Sequence, residues 1–106
     1  MERIEKLRSF IAADSNDLFS RHALAMELVK LGKLEMAVME LEAILILDEN
    51  YIGSYYHLGK LFEKLSSFDK ALHIYEKGIS VARHLHKHHE LRELQGALNQ
   101  LNDELA

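Results

Sequence analysis

The chain has 106 residues, of which 48% are hydrophobic and 28% are charged, and its formal net charge is −4. This composition is ordinary for a soluble globular protein, and the mild acidity argues against a nucleic-acid-binding protein, which usually carries a basic face. Cysteine is absent, which excludes disulfides, thiolate metal sites and cysteine nucleophiles. The longest wholly apolar run, residues 43–47, is too short to cross a bilayer, and the first ten residues lack the apolar core of a signal peptide. We therefore expect a soluble, cytoplasmic protein.

Two helices are predicted at the start of the chain, where apolar residues recur every three or four positions. The first spans residues 1–13, and its apolar face is formed by Ile4, Leu7, Phe10 and Ile11. A polar turn follows at residues 14–17, where Asn16 or Asp17 is placed to cap the next helix. The second helix runs to about residue 31, and its inward face is formed by Leu24, Ala25, Leu28 and Leu31. Gly32 then ends the helix, because glycine adopts the left-handed conformation without steric cost.

The rest of the chain predicts four more helices. The third spans residues 34–47, with its inward face formed by Ala37, Leu41, Ile44 and Leu45. The fourth spans about 51–65, and its inward residues are Tyr55, Leu58, Gly59, Phe62 and Leu65. The fifth spans about 69–83, and its inward residues are Ala71, Leu72, Tyr75, Gly78 and Ile79. The last, at 89–105, carries the narrow stripe of an amphipathic helix, formed by Leu91, Leu94, Leu98, Leu101 and Leu105.

A 34-residue repeat relates the second and third helices to the fourth and fifth. The residues that coincide at this step are Asp14/Asp48, Asn16/Asn50, Ser20/Ser54, Leu24/Leu58, Lys30/Lys64, Leu31/Leu65, Ala37/Ala71 and Glu42/Glu76. Other pairs keep their size, including Ala25 with Gly59 and Leu41 with Tyr75. Repeats of this kind build a stack of similar units, so we expect the function to lie on the surface of that stack.

This pattern resembles the tetratricopeptide repeat, a helix-turn-helix unit of 34 residues. The family's Leu-Gly step corresponds to Leu24-Ala25 and Leu58-Gly59, and its small second-helix residue corresponds to Ala37 and Ala71. The resemblance covers two full repeats, at 18–50 and 52–83, preceded by a half-repeat at 1–15 and followed by a capping helix at 89–105. It implies a single all-α domain, built as a right-handed superhelical stack with a C-terminal capping helix.

The chain departs from the family pattern at two kinds of position. The early Trp position holds Arg21 in the first repeat and Tyr55 in the second. The closing Pro position holds Ser15 and Glu49. These changes leave the helical pattern undisturbed.

The resemblance implies a non-catalytic protein-interaction module, an adaptor or scaffold, that binds a protein or peptide on the concave face. First helices line that face, and its candidate partner-binding residues are Phe19, His22, Met26, Tyr56 and Lys60. These residues do not reproduce the Lys and Asn clamp by which some family members hold a C-terminal carboxylate. No cofactor is implied, and we expect neither nucleic acid nor a membrane as a partner. The alternative is a self-associating scaffold, a homodimer formed through a stack end or the C-terminal helix.

A histidine cluster near the end of the second repeat is the remaining candidate for chemistry. It consists of His84, His86, His88 and His89. If the segment is one continuous helix, His84 and His88 share a face and offer two imidazoles to a metal ion. The interpretation that we favour is a solvated turn, because Glu90 is the only adjacent carboxylate. No nucleophile, base and acid are arranged as in a hydrolase, so we do not expect an enzyme.

Overall fold

Six α-helices form the part of the chain that the structure, a computed structural model, describes, namely residues 2–106. They are α1 (Glu2–Ala13), α2 (Leu18–Lys30), α3 (Leu34–Leu47), α4 (Gly53–Lys64), α5 (Phe68–His84) and α6 (His88–Leu105). Over the same residues there is no β-strand. The all-α prediction is therefore confirmed, and each helix end falls within two residues of its expected position. Met1, where the first helix was expected to begin, lies outside the described residues.

The helices fall into two compact units along the chain. The first unit ends at Asp48 and contains α1, α2 and α3, with α2 packed against both of the others. The second unit, Glu49–Ala106, contains α4, α5 and α6, with α5 packed against both of the others and α4 also touching α6.

The first unit buries most, but not all, of the residues expected inside. Its buried apolar residues are Ile4, Leu7, Leu24, Ala25, Leu28, Ala37, Val38, Leu41 and Ile44. Two expectations were wrong, because Phe10 is 47% exposed and Leu31 is 49% exposed. Each residue turns an α-helix by about 100°, so Phe10 lies well to one side of the stripe formed by Ile4 and Leu7. Leu31 is the C-cap of α2, where the backbone has left the helix and no longer continues its inner face.

The second unit is held by a reciprocal contact between two glycines and two tyrosines. A Cβ placed on Gly59 of α4 would lie less than 3.0 Å from three ring atoms of Tyr75 on α5. A Cβ on Gly78 of α5 would lie 2.7 Å from Cβ and 2.9 Å from Cγ of Tyr55 on α4. Both tyrosines are fully buried. Each helix therefore supplies a large ring and also the gap that receives its partner's ring.

Helices α2, α4 and α5 each end in the same hydrogen-bonded turn. In α2, the N–H of Lys33 donates to the carbonyl of Leu28 at 2.9 Å and that of Gly32 to Val29 at 2.9 Å. At the end of α4 the N–H of Ser67 donates to the carbonyl of Phe62 at 2.8 Å, and at the end of α5 the N–H of Lys87 donates to the carbonyl of Ala82 at 2.9 Å. This pattern is the Schellman motif, which requires a left-handed residue after the cap. The three residues in that position are Gly32, Ser66 and His86, with φ of 73°, 58° and 56°.

The positions that depart from the family's Trp and Pro are joined by hydrogen bonds. Arg21 donates through Nε to the carbonyl of Ser15 at 2.9 Å, and Tyr55 donates through its hydroxyl to the carbonyl of Glu49 at 2.6 Å. Both bonds reach back six residues, at equivalent positions of the two repeats. Arg21 also bonds Glu40 of α3 at 3.1 Å. The substituted residues therefore fasten each repeat to the turn that precedes it.

The start of α2 is capped as expected, whereas the start of α4 is not. Asp17 accepts the backbone N–H of Ser20 at 3.0 Å and its hydroxyl at 2.7 Å, and these bonds lower the pKa of the Asp17 carboxyl. In the second repeat Tyr51 stands where the first repeat has Asp17. Consequently the hydroxyl of the fully buried Ser54 has no hydrogen-bond partner.

The last helix docks on the second repeat, as expected. In α6, Leu94, Ala97 and Leu101 are buried, and the helix packs mainly on α5. Leu91 and Leu98 are partly buried at the edges of this contact, and Leu105 is 47% exposed. The leucine stripe is therefore used within the unit, and α6 caps it.

The first prediction tests which side of each helix faces the core. Ala71 is fully buried, so Ala71→Leu should overpack the contact and lower the free energy of unfolding by about 1–3 kcal/mol. Glu42→Leu, an enlargement on the exposed side of α3, should change it little. Urea denaturation measures both variants, and equal stability of Ala71→Leu and the parent would contradict the assignment.

The second prediction uses two equivalent serines of the repeats. Ser20→Ala removes a hydrogen bond to a carboxylate and should cost about 0.5–1.5 kcal/mol. Ser54→Ala removes a buried hydroxyl with no partner, so it should be neutral or stabilise the fold by about 1 kcal/mol. The free energies of unfolding of the two variants are compared by urea denaturation. A greater loss of stability for Ser54→Ala than for Ser20→Ala would show that this buried hydroxyl is bonded in solution.

The third prediction concerns the docked α6. Truncation after His89 removes Leu94, Ala97 and Leu101, each buried against the unit, and exposes the apolar side of α5. We expect a less stable protein that aggregates, measured by thermal unfolding and light scattering. A soluble truncated monomer of unchanged stability would instead make the leucine stripe a dimer seam.

Candidate functional site

The face of α2 that carries three of the candidate residues is mostly apolar. Phe19, His22 and Met26 are spaced by three and four residues, which places them along one side of the helix. Phe19 is 76% exposed, and His22 and Met26 are partly buried. Phe19 therefore presents a large apolar surface that the core does not use.

An ion-pair network lies at the C-terminal end of α2. Lys30 Nζ is 3.0 Å from one carboxylate oxygen of Glu27, and Arg3 of α1 is 3.6 Å from the other. The Lys30 hydrogen bond and the two cations lower the pKa of the Glu27 carboxyl. Lys30 is thus already engaged by a carboxylate of its own helix, which it shares with Arg3.

The face of α4 that carries the other two candidate residues combines an aromatic ring with a cation. Lys60 Nζ lies 5.6 Å from the centre of the Tyr56 ring, within the range of a cation–π interaction. The same ammonium is 3.6 Å from the carboxylate of Glu63. The Lys60 side chain is 34% exposed, so it is partly accessible to solvent. The arrangement offers a flat ring beside a charge that is partly neutralised.

Glu63 is held from a second direction by Tyr75. The hydroxyl of Tyr75 donates to Glu63 Oε2, the same oxygen that faces Lys60. Burial, together with the adjacent carboxylate, raises the pKa of the Tyr75 phenol well above its ordinary value, so the group remains a hydrogen-bond donor. The tyrosine that packs against Gly59 therefore also fixes the carboxylate that orients Lys60.

His57, next to Tyr56, is a partly buried neutral group. Its ring meets that of Tyr56 edge to face, with centroids 5.8 Å apart. Burial lowers the pKa of the His57 imidazole, and the carboxylate of Glu93 opposes this shift only in part. The lowered pKa favours the neutral imidazole, so His57 adds little positive charge to the α4 face.

The structure places the five candidate residues on the two first helices. Phe19, His22 and Met26 lie together on α2 in the first unit, whereas Tyr56 and Lys60 lie together on α4 in the second. Sequence reasoning missed the hydrogen bond that joins Tyr75 to Glu63 beside Lys60. The available signal was that Tyr75 occupies a large core position and yet carries a polar hydroxyl, which needs a partner when buried.

The histidine cluster is divided between two helices. His84 ends α5, His86 adopts the left-handed turn, and His88 begins α6. The one-helix arrangement that would place His84 and His88 on a shared face is therefore wrong. Across residues 2–106, no group of three His, Asp or Glu side chains is close enough to hold a metal ion. In the same part of the chain, none of the helices has the length and apolar character needed to span a membrane.

Comparison with known proteins identifies the fold. The sequence model described as "Tetratricopeptide repeat" matches residues 52–84. The yeast Sti1 TPR2B domain, solved as a pHsp70 complex, has a TM-score of 0.87 at 14% identity and covers 95% of this chain and 81% of its own. The first TPR of Spaghetti (RPAP3), bound to the HSP90 peptide SRMEEVD, has a TM-score of 0.82 at 18% identity and covers 96% of this chain and 76% of its own. No curated protein matches significantly.

A bacterial structure adds sequence similarity to the shared fold. The crystal structure of a tetratricopeptide repeat domain protein from Salinibacter ruber is 40% identical, with a TM-score of 0.78. The match covers 82% of this chain and 97% of that one. With this degree of identity over nearly the whole of a known repeat domain, the chain belongs to the tetratricopeptide repeat family.

Proposed function

We propose that the chain is a non-catalytic protein-interaction module that binds a peptide or a helix through the first helices of its two repeats. The α2 face contributes Phe19, His22 and Met26, and the α4 face contributes Tyr56 and Lys60. The observation that carries this proposal is Phe19, whose side chain is 76% exposed on a first helix. Exposing a large aromatic side chain is unfavourable unless a partner covers it, and aromatic residues are enriched in binding hot spots.

The charges of the two faces favour an apolar ligand over an acidic one. Two family members of similar fold were solved with pHsp70 and with the HSP90 peptide SRMEEVD, whose sequence is acidic. In this chain Glu63 faces the ammonium of Lys60, and Glu27 faces that of Lys30. An acidic tail would compete with these carboxylates. We therefore propose that apolar contacts with Phe19 and Met26 provide most of the affinity, while Tyr56 and Lys60 orient the ligand.

The fourth prediction is that Met26→Glu combined with Lys60→Glu abolishes binding while the fold is kept. Both side chains are outside the fully buried core, and the substitutions place charges on each face. A partner isolated from native lysate is purified and titrated calorimetrically against the parent and the variant. Circular dichroism and thermal unfolding verify that the variant folds. Ser80→Glu, which adds a charge to an exposed position of α5, is the matched control and should bind as the parent does.

Single substitutions separate the apolar from the charged contribution. Phe19→Ala should weaken binding by about 2 kcal/mol or more, as expected of a buried aromatic anchor, whereas Lys60→Gln should cost less than about 1 kcal/mol. The reverse order would mean that the ligand is acidic. Unchanged affinity in both variants and in the double variant would move the site off these faces. A dimer mass in light scattering that persists in both single variants would favour the self-associating scaffold, whose interface is expected at a stack end or the C-terminal helix.

A further inference from the structure

The outer side of α3 is apolar although it faces solvent. Met36 is 41% exposed, Met39 is 68% exposed and Ile46 is 84% exposed, with Ala43 partly exposed between them. The spacing of three, four and three residues aligns the four side chains along one side of the helix. The buried residues Ala37, Leu41 and Ile44 lie on the other side. We call the stripe of Met36, Met39, Ala43 and Ile46 the outer face of α3.

The equivalent side of α5 shows that the repeat does not require this apolar character. Advancing the four positions by 34 residues gives Lys70, His73, Lys77 and Ser80. All four are exposed and polar. The equivalent exposed position of the repeat is therefore polar in α5 and apolar in α3. A row of exposed apolar residues of this kind marks an interaction surface.

The charges on α3 indicate what kind of partner covers its outer face. The helix carries Glu35, Glu40 and Glu42 and no basic residue. Glu40 is bonded to Arg21, whereas Glu35 and Glu42 are exposed and have no ion-pair partner among residues 2–106. Glu35 precedes Met39 by four residues and Glu42 precedes Ile46 by four, so both acids border the same edge of the stripe. They are seven residues apart, about 10 Å along the helix.

We infer that the outer face of α3 binds an amphipathic helix of another protein, whose apolar stripe is bordered by Lys or Arg at seven-residue spacing. Basic residues at that spacing match Glu35 and Glu42, while the apolar stripe covers Met39 and Ile46. A second copy of the chain fits less well. Two α3 helices would bring unpaired carboxylates together with no basic residue of either helix to offset their repulsion. The outer side of α5 has Lys70 and Lys77 at seven-residue spacing, but its other exposed residues are polar and offer no apolar stripe to cover Met39 and Ile46. This surface is distinct from the proposed faces of α2 and α4 and is tested independently of them.

The fifth prediction uses two synthetic helical peptides of about 18 residues with the same leucine stripe. One is bordered by Lys at seven-residue spacing, and the other carries Glu at the same positions. Fluorescence anisotropy against the full chain should show saturable binding of the Lys peptide and at least roughly tenfold weaker binding of the Glu peptide. Met39→Ser with Ile46→Ser should weaken binding of the Lys peptide at least roughly tenfold. Both positions are exposed, so thermal unfolding should be unchanged.

Matched variants determine whether the peptides bind to the outer face of α3. His73→Ala with Ser80→Ala alters the equivalent positions of α5 and should leave binding as it is in the parent. Glu35→Lys with Glu42→Lys should reverse the preference and select the Glu peptide. The inference is overturned if neither peptide binds saturably, or if both Ser substitutions leave the affinity unchanged. It is also overturned if light scattering shows a dimer that Met39→Ser with Ile46→Ser converts to a monomer, since a second copy would then be the occupant.

Discussion

The reciprocal contact of Gly59 with Tyr75 and of Gly78 with Tyr55 is the constraint on which the second unit depends. Two buried rings cross between α4 and α5 only because each meets a position without a Cβ. The hydroxyl groups of the same tyrosines also form hydrogen bonds. Tyr55 donates to the carbonyl of Glu49, and Tyr75 donates to the carboxylate of Glu63. Displacing either ring would therefore disturb the core, the turn before α4 and the carboxylate beside Lys60 together.

The first unit packs its helices with different side chains at the equivalent positions. At the positions of Gly59 and Tyr75 it has Ala25 and Leu41, so a smaller side chain meets a position that carries a Cβ and leaves less room. Arg21 replaces the ring of Tyr55, and its guanidinium reaches both the carbonyl of Ser15 and the carboxylate of Glu40. The helices of the second repeat are thus held together by two buried tyrosine rings whose hydroxyls form hydrogen bonds. Those of the first repeat are joined by the ion pair of Arg21 and Glu40, which has little exposure.

The sequence predicts most of this architecture because periodicity reports burial directly. Helix limits, the Asp17 cap and the Gly32 turn follow from local rules that tertiary contacts do not override here. Leu31 was misplaced because an apolar pattern continues past the residue where the backbone leaves the helix. The faces of α2 and α4 were predictable as positions in a repeat, and so was the local pairing of Lys60 with Glu63 three residues later, but the bond from Tyr75 to Glu63 was not. That contact depends on a hydroxyl from α5, whose direction periodicity does not record.

The Schellman turns after α2, α4 and α5 have a consequence for how the chain folds. Their hydrogen bonds join residues only three to five apart, so each turn closes with little loss of loop entropy. Gly32 enters the left-handed conformation freely, whereas Ser66 and His86 do so against a penalty of roughly 1–2 kcal/mol each. We therefore expect the helical hairpin of α2 and α3 to nucleate folding, and the two later hairpins to form once burial of their tyrosines and leucines compensates for the strained turns.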